Sequence, residues 1–178
     1  MTAYVALLRG IAPTNPKMRN AELRRVFEEL GFDAVRTVIS SGNVLFESPD
    51  RSRTRLESQI EAALHAHLGA PCTTIVRSRR QLERLAALDV FDGHDDAPEA
   101  RCNVTFLKRP QPDVELPVAG DGAEVLAAAE QAVFSLVDST RAQTPNIMAV
   151  LERAYGREIS TRTLQTVHRI LKAFDKPA

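Results

Sequence analysis

The spacing of apolar residues along the first half of the chain predicts two helices among four strands. Residues 3–8 are apolar on both faces, as expected for a central strand covered on two sides. Two stretches repeat apolar residues at helical spacing. Asn20 is the predicted cap of the first, which ends at Gly31, and the second starts at Asp50 and ends at Gly69. Short β-branched or apolar runs at 35–39, 44–47 and 72–76 predict the remaining strands. The order βαββαβ is that of the ferredoxin-like unit.

The second half has less regular signals. Ser78 to Gln81 forms a capping box before a short helix that carries Leu82, Leu85 and Leu88, and residues 102–107 predict a strand. Residues 124–137 fit either one Ala-rich helix or a hairpin that turns near Glu130 and Gln131, and the hairpin is favoured.

Two helices are predicted near the end of the chain. Thr144 and Pro145 start a helix that ends at Gly156, and Ser160 or Thr161 caps a last helix. These patterns predict an α+β protein with antiparallel sheets. A ferredoxin-like βαββαβ subdomain is expected at 1–78 and a second α+β subdomain at 79–178, packed on it as one compact unit.

Several short motifs occur together in this chain. They are Ala6-Leu7-Leu8-Arg9-Gly10-Ile11, Lys17-Met18, Ala21-Glu22-Leu23-Arg24, Ser41-Gly42-Asn43-Val44 with Phe46, and near the end Thr161-Arg162, Thr166-Val167 and Leu171. The combination resembles the bacterial family catalogued as domain of unknown function 1697 over essentially the whole chain. The resemblance implies an α+β fold with ferredoxin-like halves and no particular activity.

The chain departs from the family pattern at three places. Residues 12–16 read Ala-Pro-Thr-Asn-Pro, where many relatives have Asn-Val-Gly-Gly. Thr163 and Leu164 stand where Asn and Trp are common. Residues 140–143 read Thr-Arg-Ala-Gln in place of Gly-x-x-Lys, which argues against a lysine-dependent role there.

Composition and charge exclude several classes of protein. The 178 residues are 44% apolar and 26% charged, typical of a globular domain, and 23 basic side chains balance 23 acidic ones. The protein as a whole has no excess of basic charge that would attract nucleic acid. Tyr4 and Phe46 are better explained as core residues than as aromatic side chains on which bases stack. Nucleic acid is therefore not favoured as a partner. Without a signal segment or an apolar run long enough to span a bilayer, the expected location is cytoplasmic, with no membrane partner.

Charge is distributed unevenly along the chain. Residues 111–140 carry six acidic and no basic side chains, whereas residues 141–178 carry seven basic and three acidic ones. Solvated faces explain such runs without a partner. Cys72 and Cys102 have no zinc-site spacing and lie in predicted strands, so reduced, buried thiols are expected. No metal site and no cofactor are predicted.

The fold order brings one group of polar residues together. In a ferredoxin-like sheet the first and third strands are antiparallel neighbours, so Arg9 and Gly10 are expected beside the turn before the third strand. The first helix starts at the same edge with its N–H groups free to bind an anion. The predicted ligand-binding residues are Arg9, Gly10, Asn15, Lys17, Ser41, Gly42 and Asn43. Turn chemistry alone also explains these residue types.

A second candidate site lies at the predicted start of the last helix. Thr161 and Arg162 would contribute there, with His168, Arg169 and Lys172 following, although capping and a solvated face explain the same residues. The sequence therefore favours binding of a phosphate-bearing or other anionic small molecule. An enzyme acting on such a ligand and a structural or oligomeric interaction protein are the alternatives. No catalytic residues are identified, and the oligomeric state is left open.

Overall fold

The first four strands form one antiparallel sheet with the helices that connect them. The elements are β1 (Thr2–Leu8), a short 3-10 turn (Pro16–Met18), α1 (Asn20–Glu29), β2 (Asp33–Thr37), β3 (Asn43–Ser48), α2 (Arg53–Leu68) and β4 (Thr74–Ser78). The strand order is β2-β3-β1-β4, so the central β1 pairs with both β3 and β4. The predicted ferredoxin-like order of the N-terminal half is confirmed.

A second antiparallel sheet follows in the chain. Its elements are α3 (Arg79–Ala86), β5 (Ala100–Leu107), β6 (Ala123–Ala129), β7 (Ala132–Asp138), α4 (Ile147–Tyr155), β8 (Ile159–Thr163) and α5 (Leu164–Phe174). The order is β6-β7-β5-β8. This computed structural model describes residues 1–40, 42–94, 99–110, 122–140 and 147–176. The α+β class with antiparallel sheets is confirmed.

Helix starts differ from the predicted ones in three places. Arg19, not Asn20, is the N-cap of α1, and its side chain makes no capping hydrogen bond. Ser52 caps α2 by accepting a hydrogen bond from Arg55 N, two residues beyond the predicted start at Asp50. Neither Ser160 nor Thr161 caps the last helix. Both lie in β8, and the cap is Thr163, whose Oγ1 accepts from Thr166 N at 3.2 Å.

Each sheet has its own apolar core, formed with the helices that pack against it. In the first, residues of β1, β3 and β4 pack with α1 and α2; the fully buried members include Ala6, Leu23, Phe27, Val44, Leu56, Ile60, Leu64 and Val76. In the second, Leu107, Val133, Leu151 and Ile159 are buried with residues of α4. Burying side chains of this size stabilises a fold by about 1.5–3 kcal/mol each, so these two clusters hold the sheets and helices in place.

The two sheets share strand order and residue register. Arg77 lies opposite Val5 in the first sheet, and Arg162 lies opposite Val104 in the second. Each arginine donates a hydrogen bond from Nη1 to the carbonyl of the residue before it, at 2.9 Å and 2.8 Å respectively. Burial lowers the pKa of both guanidinium groups to about 10. The chain therefore contains the same strand arrangement twice.

The chain folds into two units that do not coincide with its two halves. The first unit comprises Met1–Glu83 and Arg169–Ala178, and the second Arg84–His168. The boundary between the second unit and the C-terminal part of the first falls inside α5, because α5 starts at Leu164. The C-terminal segment consequently returns to the unit in which the chain began.

Candidate functional site

Arg9 lies at the end of β1, where the backbone is held by three hydrogen bonds. Leu8 N donates to Gly42 O at 2.8 Å, and Arg9 N donates to Thr73 O at 2.9 Å. The Cys72 thiol donates to Arg9 O at 3.3 Å. Arg9 itself is half-buried and Gly10 is exposed. The main chain therefore leaves the sheet at a fixed point beside the turn before β3, as the strand order predicts.

Gly42 fills a place that no other residue fits without strain. Its φ is +73°, and a Cβ there would lie 2.7 Å from Ile11 Cγ1 and 3.0 Å from Leu8 Cβ. A residue with a side chain would be strained in this left-handed backbone conformation and would also clash with these neighbouring atoms. Gly42 thus lets the turn before β3 pack against the start of the loop after β1.

Asn43 is a buried residue that closes the β2–β3 connection. Its exposed fraction is 1%, and its Nδ2 donates to Val38 O at 2.9 Å while Val38 N donates to Asn43 O at 2.9 Å. These contacts give Asn43 a structural role in the turn. Ser41, also predicted to bind ligand, lies outside the described residues.

Asn15 and Lys17 belong to a short ordered turn in the middle of the loop. Asn15 Oδ1 accepts a hydrogen bond from Lys17 N at 3.0 Å, and Met18 N donates to Asn15 O at 2.9 Å. The His67 ring on α2 lies with Nε2 3.1 Å from Lys17 O. Both Asn15 and Lys17 are exposed. The backbone that carries the Lys17 ammonium group is therefore anchored to α2.

The loop after β1 is strongly cationic. Between residues 9 and 19 it carries Arg9, Lys17 and Arg19 and no acidic residue. In the part of the chain that the structure describes, neither Lys17 nor Arg19 forms an ion pair. The next carboxylate in the chain, Glu22, lies 2.8 Å from Arg25 Nη2 and 3.5 Å from His67 Nε2. The charges of Lys17 and Arg19 are consequently left for solvent or a ligand.

Thr161 and Arg162 lie in the second unit, in the middle of β8. Thr161 Oγ1 is 2.7 Å from Thr105 Oγ1 and donates to Met148 Sδ at 2.9 Å. Arg162 Nη1 donates to Ser160 Oγ at 3.0 Å, as well as to the Thr161 carbonyl. The predicted cap at this position is wrong because the chain is still extended here and pairs with β5. Both residues make internal polar contacts.

A cavity of about 550 Å³ lies where β5 begins and α5 starts. Its polar lining comes from Arg101, Thr163, Gln165 and His168, and Cys102 forms part of the wall. The sequence drew attention to Thr163 and His168 but not to Arg101. Arg101 comes near α5 only because β5 pairs with β8, and β8 was not predicted from its sequence.

The described residues contain no group of three or more His, Cys, Asp or Glu side chains placed to hold a metal ion. His94 is described, whereas the two acidic residues that follow it, Asp95 and Asp96, lie outside the described part of the chain. Cys72 and Cys102 are free and buried, as the sequence predicts. Among the described residues, none of the helices is both long and apolar enough to cross a membrane.

Comparison with known proteins identifies a similar solved structure and a matching family model. A conserved protein of Streptococcus pneumoniae, SP0830, has a similar structure with a TM-score of 0.72 and 23% sequence identity, over 99% of both chains. At this identity the likeness concerns the fold alone. No curated protein matches the sequence. The family model described as protein of unknown function (DUF1697) matches residues 1–134, three quarters of the chain, and the protein therefore belongs to that family.

Proposed function

We propose that the protein binds a small anionic ligand, such as a phosphate compound, at the loop of residues 9–19 and the adjoining turn before β3. The observation that carries the proposal is the cationic loop itself: three basic side chains on eleven residues with no acidic one. Clustered cations such as these attract an anion over a Debye length of about 8 Å at physiological salt.

The order of the loop supports binding. Its start is held by the hydrogen bonds of Leu8 and Arg9, and its middle by Asn15 and the contact of His67 with Lys17 O. Because the backbone is already ordered, a ligand would not have to pay the full entropy of ordering it. The N-terminus of α1 adds a partial positive charge, and its N-cap side chain makes no capping hydrogen bond that would compete with a ligand.

The test is a titration followed by amide NMR at low salt, with inorganic phosphate, nucleotides and sugar phosphates as probes. We expect saturable shifts at the amides of Gly10 and Lys17 for at least one probe, weakening as salt rises. Lys17→Ala and Arg19→Ala should each reduce the affinity several-fold. Arg24→Ala is the matched control, because Arg24 is an exposed cation of α1 already paired with Glu28 at 2.7 Å.

Arg9→Ala separates a ligand group from a structural one. If Arg9 binds the ligand, the variant keeps its stability without ligand and loses the stabilisation that the ligand confers. If Arg9 is structural, the variant is destabilised by about 1–3 kcal/mol with or without ligand. Absence of saturable shifts in the wild type for every probe at low salt contradicts the proposal.

A further inference from the structure

The cavity of about 550 Å³ in the second unit exists because β8 ends early. β5 begins at Ala100, but its pairing with β8 starts only at Asn103, which lies opposite Thr163. The chain changes from strand to helix directly after Thr163, so β8 does not continue beside the first residues of β5. The space left there is bounded by the start of β5 and the first turns of α5.

Three polar side chains of the cavity lining are not engaged in internal contacts. Arg101, Gln165 and His168 are exposed, and in the described part of the chain none of their side chains forms a hydrogen bond or an ion pair. The fourth polar residue differs, since Thr163 Oγ1 lies 3.0 Å from Thr166 Oγ1 and accepts from Thr166 N. A ligand in the cavity can therefore contact the first three side chains without breaking an internal interaction.

The chemistry of these three side chains favours an oxyanion. Arg101 carries a planar guanidinium, whose N–H groups match the oxygen atoms of a carboxylate or a phosphate. Gln165 and His168 are three positions apart on α5 and therefore share one face of that helix. Both side chains can donate hydrogen bonds. None of the described residues that line the cavity is acidic, so the lining attracts an anion.

The rest of the cavity wall is apolar. Ala100, Leu164 and Cys102 supply it, and a buried cysteine packs as a small apolar residue. The volume lies within the range of about 300–1,000 Å³ that is typical of pockets for small organic molecules. At about 30 Å³ per molecule it corresponds to roughly 18 waters, which is more than an inorganic ion requires. The apolar wall offers an organic group a surface against which to pack.

We propose that this cavity binds a small organic molecule that carries an oxyanion, with Arg101 and His168 donating to the oxyanion and the uncharged part of the molecule packed against Leu164. A phosphate monoester and a carboxylic acid share this chemistry. The site lies within the second unit and does not depend on binding at the loop of residues 9–19, because its own cavity and its own side chains support it.

The experiment is an amide NMR titration of the full chain with phenyl phosphate, benzoate and inorganic phosphate in separate arms. We expect saturable shifts at the amides of Leu164 and Gln165, which line the cavity, for at least one of the two organic probes. The organic probe that saturates distinguishes phosphate from carboxylate recognition. Shifts confined to Gly10 and Lys17 would support the loop site and overturn this one. Inorganic phosphate that binds the cavity as tightly as phenyl phosphate would overturn the assignment to an organic ligand.

Arg101→Gln is the decisive variant, because it removes the charge of an exposed side chain that has no partner among the described residues. It should melt at the temperature of the wild type. It should bind the organic probe about ten-fold more weakly, the loss expected for one charge-assisted hydrogen bond. His168→Gln should weaken binding in the same direction.

Arg153→Gln is the matched control, since Arg153 is an exposed arginine of α4 in the same unit and is not part of the cavity lining. It should bind the organic probe as the wild type does. An equal loss in Arg101→Gln and Arg153→Gln would show diffuse attraction to positive charge and overturn the proposal. Undiminished binding by Arg101→Gln, or the absence of saturable shifts at Leu164 and Gln165 with both organic probes, would overturn it as well.

Discussion

At the scale of single residues, Gly10 and Gly42 have almost the same backbone conformation in different surroundings. Their φ angles are +79° and +73°. Among the described residues, chain neighbours aside, no atom lies within 4 Å of a Cβ built on Gly10, whereas Ile11 crowds one built on Gly42. A side chain at either position would strain the backbone, but only at Gly42 would it also overlap with neighbouring atoms. Comparing the two positions therefore distinguishes the cost of backbone strain from that of steric overlap.

We expect Gly42→Ala to destabilise the protein by about 2–4 kcal/mol, the sum of about 1 kcal/mol of backbone strain and about 1–3 kcal/mol of overpacking. Gly10→Ala, the matched control, should cost only about 1 kcal/mol, since strain acts there alone. Urea unfolding of both variants measures the difference. Equal losses would contradict the packing that places the loop after β1 against the turn before β3.

Cys72 is expected to be an inert thiol. Burial, together with the nearby charge of Glu61, raises its pKa from 9.0 to about 11. At pH 8 the thiolate fraction should then be about 100-fold lower than in the unfolded chain, and labelling by a thiol reagent correspondingly slower. Labelling at the rate of the unfolded chain would contradict the burial of this group.

The same shift has a defined consequence for stability. Between pH 9 and 11 the unfolded chain ionises Cys72 while the folded chain does not, so the stability that Cys72 contributes is present below pH 9 and is lost as pH rises through 11. Cys72→Ala should therefore lose less stability than the wild type over this interval. If the unfolding free energies of the wild type and Cys72→Ala change with pH in parallel, the ionisation of Cys72 is not linked to stability.

At the scale of elements, two carboxylates of α2 cover the outer edge of the first sheet. β4 is an edge strand, and its Val76 N and Thr74 N donate to Glu57 Oε1 at 2.9 Å and Glu61 Oε1 at 2.8 Å. Glu57 is 4% exposed. Unpaired backbone N–H groups on an edge strand can pair with another chain, and here the Glu57 and Glu61 carboxylates accept their hydrogen bonds.

We expect Glu57→Ala to cost about 1–3 kcal/mol, because a buried N–H of β4 loses its acceptor. Glu57→Gln keeps an acceptor oxygen and should recover part of the loss, although it removes the charge that favours the buried Arg77. Urea unfolding and hydrogen exchange at the Val76 amide measure both effects. If Gln is as damaging as Ala, the carboxylate acts through its charge and not as a cover for the strand edge.

Two elements show where the sequence is informative and where it is not. The hairpin of β6 and β7 is confirmed with its turn at Glu130 and Gln131, whose φ angles are +51° and +58°. β8 was missed because Ile159–Thr163 has one apolar residue in five and its Ser and Thr residues are typical helix caps. Its extended conformation comes from pairing with β5, which no local pattern encodes.

At the scale of the whole molecule, the repeated strand arrangement keeps the same backbone hydrogen bonds even where the residue types differ. Gly42 and Gln131 accept equivalent hydrogen bonds, as do Thr73 and Glu158, although the residue types differ. The sequence could therefore predict that Arg9 lies beside the turn before β3, because that follows from the strand order. It could not predict the cavities, which depend on contacts between residues far apart in the chain.

Within the first unit, the C-terminal segment is tied to earlier residues of the chain by contacts of three kinds. Arg36 Nη1 donates to Lys176 O at 2.6 Å, Arg79 Nη2 lies 2.7 Å from Asp175 Oδ1, and the Arg79 guanidinium stands 5.9 Å from the centre of the Phe174 ring. The exposed Arg79–Asp175 pair is screened by solvent and contributes little. The hydrogen bond from Arg36 is also exposed, but its donor is charged and belongs to a partly buried side chain.

Deleting residues 174–178 should destabilise the protein by about 0.5–1.5 kcal/mol, in part through the lost acceptor of Arg36. Hydrogen exchange should accelerate in β2, which carries Arg36, and at the start of α3, while the amides of β5 and β7 keep their protection because the deletion removes none of their strand pairing. Arg79→Ala in the full chain is the control, and it should leave the exchange of β2 unchanged. Equal acceleration in β2 and in β5 would show that the chain opens as one cooperative body, and the segment would then stabilise the whole molecule and not the first unit alone.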